Sequence, residues 1–153
     1  MSHVVAIDAI DKAIIRALQE DGRISYADLA LRIGLSAPAV RQRMQRLTES
    51  QLLQIVAVTD PLKLGLPVMA MVGIAVDGDV RAVASLAADV QQVIYVVSTA
   101  GSFDLFVEVV CSDMDELFSV VNEQLKRING VRTAESFVYF DIHTHRFTWD
   151  IPA

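Results

Sequence analysis

Residues 25–49 read SYADLALRIGLSAPAVRQRMQRLTE, and the punctuation of this stretch decides how the first half of the chain folds. Ser25 with Asp28 three residues on makes a capping-box-like start, because hydroxyl and carboxylate can satisfy amides that a first helical turn leaves unpaired. Leu29, Ala30 and Ile33 then share an inward face. Gly34 ends that helix, Leu35 can plug the corner, and Ser36 caps the next one. Pro38 is tolerated in the first turn, where an amide has no partner to lose. Along residues 36–49 the apolar Val40, Met44 and Leu47 recur at i, i+4 and i+7, a stripe that packs on the preceding helices. Arg41, Arg43 and Arg46 are expected on its solvent side, with Gln42 and Gln45 beside them. Two short helices across a tight glycine turn make the pattern of a helix-turn-helix.

Upstream, Asp8 can cap a helix in which Ile10, Ile14, Ala17 and Leu18 form one stripe, with Gly22 following its end. Downstream, residues 52–59 are rich in β-branched side chains and predict one or two short strands, before Asp60-Pro61 and Gly65-Leu66-Pro67 supply linker punctuation. The reading is therefore a helical domain over residues 1–52, a hinge over 53–66 and a second domain over 67–153.

The second domain alternates strand and helix signals. Residues 68–76 form a strand-length apolar run stopped by Asp77-Gly78. Val80, Val83, Ala84 and Ala87 make a helix stripe, and residues 93–98 a second strand. Gly101-Ser102 breaks the chain, and residues 103–111 form a third strand, antiparallel to the second because the connection is so short. Met114, Leu117, Phe118, Val121, Leu125 and Ile128 make a long helix stripe closed by Asn129-Gly130, and residues 133–140 supply a fourth strand. The order βαββαβ is the ferredoxin-like arrangement, an antiparallel sheet with two helices on one face, so the fold class is α+β. Runs such as Val93-Ile94-Tyr95-Val96-Val97 are apolar on both faces, and a second copy of the chain is the simplest cover for the face without helices.

The net charge of −6 looks wrong for a ligand of phosphate polyanions until it is split. Up to Leu66 eight bases face seven acids, whereas five face twelve from Pro67 onward, so the acidity belongs to the second domain. A nucleic-acid role must rest on a local patch in the first. No apolar run approaches a membrane span, and Met1-Ser2-His3 does not begin a signal peptide. Cys111 stands alone in an apolar run, which reads as a buried thiol in a reducing, cytoplasmic compartment.

Each candidate site has a plain alternative beside it. A recognition helix places its N-terminal residues near base edges and arginines near guanines or phosphates, but a small helical hairpin with a solvated arginine face shows the same caps, with Arg43 at the flank of the core stripe. The residues alone leave both open. At Gly101-Ser102-Phe103-Asp104, exposed amides can hold a carboxylate and an aspartate can accept from an ammonium group, preferences that together describe an amino acid. An ordinary hairpin turn with Asp104 capping its own backbone is the other reading. His143 and His145 share a face with Asp141 on an expected final strand, without the further ligands of a zinc site. No phosphate loop or nucleophile elbow points to an enzyme, and Asp104 and Glu108 would repel RNA from the third strand. No cofactor is expected.

The ordered motifs Ile7-Asp8-x-x-Asp11, Leu18-Gln19-Glu20-Asp21-Gly22-Arg23-Ile24-Ser25, Leu29-Ala30, Gly34-Leu35-Ser36 and Arg43-Met44-x-Arg46-Leu47 resemble the Lrp/AsnC family of leucine- and asparagine-responsive regulators. Gly101-x-Phe103-Asp104 is similar to that family's glycine-x-aromatic-aspartate turn. The resemblance implies an N-terminal winged helix-turn-helix, a hinge strand, and a ferredoxin-like domain that dimerises through its sheet and assembles to a tetramer or octamer. It implies double-stranded DNA as a partner of Ser36, Ala37, Pro38, Arg41, Gln42, Arg43, Gln45 and Arg46, the glutamines and Arg41 for base edges and Arg43 and Arg46 for phosphates. It also implies a small amino-acid effector held between dimers by Thr99, Ala100, Gly101, Ser102, Phe103 and Asp104 with Thr133, Ala134, Glu135 and Ser136. One departure is visible: where the family usually places glycine after the recognition helix, this chain has Ser50-Gln51.

Overall fold

In a computed structural model that describes residues 6–144, three helices gather the apolar stripes of the first half into one core. α1 spans Ala9–Glu20 behind a reciprocal cap, in which the Asp8 carboxylate accepts from the Asp11 amide and the Asp11 carboxylate from the Asp8 amide. α2 spans Tyr26–Ile33, capped by Ser25 and closed by Gly34 at φ 76°, where a side chain would be strained. α3 spans Ala37–Glu49, capped by Ser36 with Pro38 in its first turn. Ile14, Leu29, Val40, Met44 and Leu47 are fully enclosed, each contributing about 1.5–3 kcal/mol of burial. The described residues divide into two units, with the break between Ala57 and Val58.

After α3 the chain does not do what residues 52–59 lead one to expect. Gln51 takes the left-handed conformation, φ 58°, and the Leu53 amide reaches back to the Leu47 carbonyl. From there to Thr59 no strand forms, and no wing hairpin is present among the described residues. The β-branched residues are extended in tendency, yet a strand exists only when its amides and carbonyls find a partner strand. Ile55, Val56 and Val58 stay more than half exposed.

The second unit is built on four strands: β1 Val68–Val76, β2 Val93–Ser98, β3 Leu105–Cys111 and β4 Val131–Val138. Their order across the sheet is β2-β3-β1-β4, with each neighbouring pair antiparallel. α4, Val80–Ala88, crosses from β1 to β2, and α5, Met114–Ser119, begins the crossover from β3 to β4. This is the expected βαββαβ order. Ala70, Val72, Ile74, Leu105, Val107, Val109 and Cys111 point to one face and close a core with Val83, Ala87, Leu117, Val120, Val121 and Leu125 from the helices.

Several details differ from the sequence expectation. β3 starts at Leu105 rather than Phe103, because the Phe103 side chain turns back over Gly73. β4 starts at Val131 and ends at Val138, drawn earlier by the Gly130 carbonyl, which accepts from the Asp77 amide. The long helix stripe is broken: a π turn over Val120–Gln124 and a 3₁₀ turn over Leu125–Arg127 follow α5. That wide turn keeps both Val120 and Val121 inward, while Met114 and Phe118, placed in the stripe by spacing, are more than half exposed. Residues 141–144 form no strand; Asp141 and His143 approach to 3.5 Å, and His145, like Met1 to His3, lies outside the described residues.

Candidate nucleic-acid interface and effector turn

The outward face of α3 follows from its inward one. With Val40, Met44 and Leu47 fixed in the core, the helical period turns Arg41, Gln42, Gln45 and Arg46 to solvent, and all four are exposed. Ser36 and Pro38 are exposed at the helix start, and Ala37 is half-buried. Gln42, Gln45 and Arg46 border an open hollow along the helix with Arg43 and Glu49. A second hollow is formed by Tyr26, Ala37, Pro38 and Arg41, and there the Arg41 guanidinium sits 5.7 Å from the centre of the Tyr26 ring, a cation–π contact that limits how the arginine can swing.

Arg43 is the correction. It was expected on the solvent side, but its guanidinium donates to Asp8 at 2.7 Å and to Asp11 at 2.8 Å, and only 27% of its side chain is exposed. Arg46 also donates to Asp11, yet remains 52% exposed. Asp11 itself is fully buried. The Asp8 carboxyl is held below its ordinary range, first by the Asp11 amide and then by Arg43, and Arg43 is pushed up in turn by the two carboxylates. Sequence reasoning assigned Asp8 a capping role and missed the rest. The signal was present: Asp11 precedes Ile14 and Leu18 by three and seven residues, which places it on the buried face of α1.

In the second unit, residues 99–104 close the β2–β3 hairpin. The Thr99 amide donates to the Asp104 carbonyl at 2.8 Å, and its hydroxyl to the Phe103 carbonyl at 2.7 Å. Ala100, Gly101 and Ser102 form the exposed tip, Gly101 at φ 151°. Asp104 does not cap its own turn; its carboxylate accepts from the Val76 amide at 2.8 Å, at the point where the register between β1 and β4 shifts. Phe103 lies across Gly73, so close that a Cβ there would come within 2.6 Å of the ring. Its edges meet Phe106 and Phe137, with ring centres 5.6 and 6.0 Å apart.

Register brings the two expected effector segments to one end of the sheet. Ile74 pairs with Leu105 on one side and Ala134 on the other, and Gly73 with Phe106 and Glu135. Residues 133–136 therefore lie two ladders from the turn, roughly 10 Å away. Thr133, Glu135 and Ser136 are exposed, whereas Ala134 packs on the apolar core and offers only its backbone. The helix-free face of the sheet carries Met71, Gly73, Tyr95, Val97, Phe106, Glu108 and Phe137 by strand alternation. Glu108 accepts from the Tyr139 hydroxyl at 2.9 Å, and burial first, then this bond, drives the phenol pKa up. Cys111 is buried, and burial followed by Glu116 and Asp113 pushes its thiol up to about 11, which leaves it protonated and unreactive at neutral pH. Among the described residues no helix is long and apolar enough to cross a membrane.

Comparison with known proteins agrees with this geometry over both units. Residues 7–48 match the AsnC-type helix-turn-helix domain, and residues 69–148 match the Lrp/AsnC ligand binding domain. An uncharacterised HTH-type transcriptional regulator of Pyrococcus abyssi is 34% identical over 139 residues, covering 90% of this chain and 88% of that protein. The leucine response regulatory protein of Mycobacterium tuberculosis superposes with a TM-score of 0.87 at 25% identity, covering 95% of this chain and all of that one. A transcriptional regulator of Neisseria meningitidis solved as an L-Met complex shares the fold, with a TM-score of 0.80 at 21% identity over 95% of this chain and 97% of its own. The chain belongs to the Lrp/AsnC family: it is a helix-turn-helix transcriptional regulator with a ligand-binding regulatory domain.

Proposed function

We propose that α3 enters the major groove of double-stranded DNA with Arg41, Gln42 and Gln45 toward base edges, Arg46 toward a phosphate, and Ser36, Ala37 and Pro38 close to the backbone. The observation that carries this reading is the exposure of those polar side chains on a helix whose opposite face is fixed in the core. Arg43 contributes by holding α3, since its partners are the N-cap of α1, Asp8, and Asp11 in its first turn. Arg41→Ala should weaken binding to a duplex selected from a random pool by about tenfold or more, consistent with loss of a contact worth about 1–3 kcal/mol, while leaving the melting temperature in place. A selected duplex bound equally well by the variant would remove α3 from the interface.

The sheet unit binds a small amino acid in this reading, with the Gly101 and Ser102 amides toward its carboxylate and Thr133, Glu135 and Ser136 across β1 from them. Support comes from the register that brings these segments together and from the neighbour solved with L-Met. Asp104 shapes the turn through Val76. Self-association through the helix-free face makes a homodimer, and effector between dimers governs tetramer or octamer assembly, in the cytoplasm and without a cofactor. A thermal-shift screen of the common amino acids tests the effector, because a ligand at 100 times its dissociation constant adds about 2.7 kcal/mol. No shift with any of them would sink that part.

A further inference from the structure

Two carboxylates of α1 engage two of the three arginines of α3, and stability alone does not account for the arrangement. Enclosing Asp11 completely costs desolvation that an apolar pair of similar volume would avoid, and a pair whose acid is half exposed, as Asp8 is, contributes little to folding. What the arrangement does change is the charge that α3 presents. Arg43 and Arg46 are matched one for one by Asp8 and Asp11, which leaves Arg41 as the arginine of this helix with no carboxylate within salt-bridge distance among the described residues.

We propose that Asp8 and Asp11 are specificity-determining positioning residues: they hold Arg43 and Arg46 in fixed orientation, keep Arg43 off the phosphates and weaken the sequence-blind pull of Arg46 on them, so that binding depends more on contacts that read bases. The proposal rests on the reading of α3 as the DNA-contacting helix. Its physical basis is counterion release: each cation available to a phosphate adds about 0.9 to the slope of log affinity against log salt, irrespective of sequence. A guanidinium already neutralised by a buried carboxylate adds less. Asp11 acts on both arginines, through Oδ1 on Arg43 and Oδ2 on Arg46, and so also fixes the spacing between them. Asp8 reinforces Arg43 from the half-exposed helix start.

The test compares the full chain with Asp8→Asn, chosen because asparagine caps a helix as well as aspartate does. Binding is measured against salt for a duplex selected from a random pool and for a scrambled duplex of equal length. Asp8→Asn should raise affinity for the scrambled duplex by about threefold, steepen its salt slope by up to about 0.9, and lower the selected-to-scrambled ratio. Asp11→Asn should act in the same direction and further. Asp60→Asn, which removes a negative charge from the other unit, should do neither. An Asp8→Asn protein that stays folded under the binding conditions with wild-type slope and ratio overturns the proposal, as does an Asp60→Asn protein that matches the changes expected of Asp8→Asn. If Arg41→Ala binds the selected duplex normally, it is the α3 reading that fails.

Discussion

The two units solve opposite problems with polar groups. In the helical unit the buried polar residue, Asp11, is satisfied by three donors from within the unit, two of them on α3. In the sheet unit one face of the sheet is closed by helices, while the other leaves Tyr95 and Phe137 about half exposed. The first unit completes its interactions internally and displays charge; the second displays a largely apolar sheet face, on which the Glu108 carboxylate is tied to the Tyr139 hydroxyl. The proposed coupling of DNA binding to assembly needs that division, because a surface built to be covered cannot also be the surface that meets a polyanion.

The largest expected effect breaks the helical side of the comparison. Asp11→Ala leaves Arg43, already mostly covered, with only Asp8 and leaves Arg46 without its partner, and should cost about 3 kcal/mol in denaturant unfolding. The figure sits at the low end for a buried pair because Arg46 is half exposed and water can replace its carboxylate. A loss below about 1 kcal/mol would mean that the apolar contacts among Ile14, Val40 and Met44 alone hold α1 against α3.

Gly73→Ala tests the sheet side. The new methyl collides with the Phe103 ring, so either the ring leaves or β1 shifts, at about 2 kcal/mol. The collision can be isolated: in a Phe103→Ala background the same change should be close to neutral, and the difference between the two measurements is the coupling. Equal costs in both backgrounds would show that Gly73 is required by the strand and not by the turn.

Acid separates the units without mutation. Asp8 is held below its ordinary pKa by the Asp11 amide and Arg43, and Glu116 by the Ser112 amide and hydroxyl and by Gln92. A carboxyl whose folded pKa is depressed contributes stability above its unfolded value, and that contribution is lost as pH falls through the folded one. Melting temperature should therefore begin to fall below about pH 4, with carboxyl NMR shifts of Asp8 and Glu116 titrating below those of free carboxylates. Asp8→Asn should remove the first of these contributions and Glu116→Gln the second. A melting curve unchanged between pH 5 and pH 3 would contradict both.

How far these features could be read from sequence depends on whether one chain segment decides them. The caps at Asp8, Ser25 and Ser36, the Gly34 corner and the βαββαβ order were legible because each is set by residues within a few positions of one another. The exposed face of α3 was legible apart from Arg43, whose partners lie more than thirty positions upstream and whose spacing puts it at the edge of the stripe. The turn at residues 99–104 was visible, but the service of Asp104 to Val76 and the seat of Phe103 on Gly73 depend on strand register, which no local pattern prints. Residues 52–59 misled because β-propensity reports fitness for a sheet and not the presence of a partner strand.

The smallest effect concerns the junction that the resemblance marked as unusual, and its sign is positive. Gln51 adopts φ 58° where glycine would do so without strain, and a side chain in the left-handed region costs about 1–2 kcal/mol. Gln51→Gly removes that strain but enlarges the conformational freedom of the unfolded chain by about 0.4–1 kcal/mol, so the net gain should be about 0.5 kcal/mol. The backbone around it is already tied, with the Gln51 amide on the Thr48 carbonyl and the Leu53 amide on that of Leu47, so the substitution need not change the path of the chain. A gain confined to equilibrium unfolding, with DNA affinity unchanged, would make the strain incidental. A gain in stability accompanied by altered DNA affinity would instead show that the left-handed residue sets how the segment after α3 meets DNA, and would tie the helical unit's function to the one backbone position among its described residues that glycine would relax.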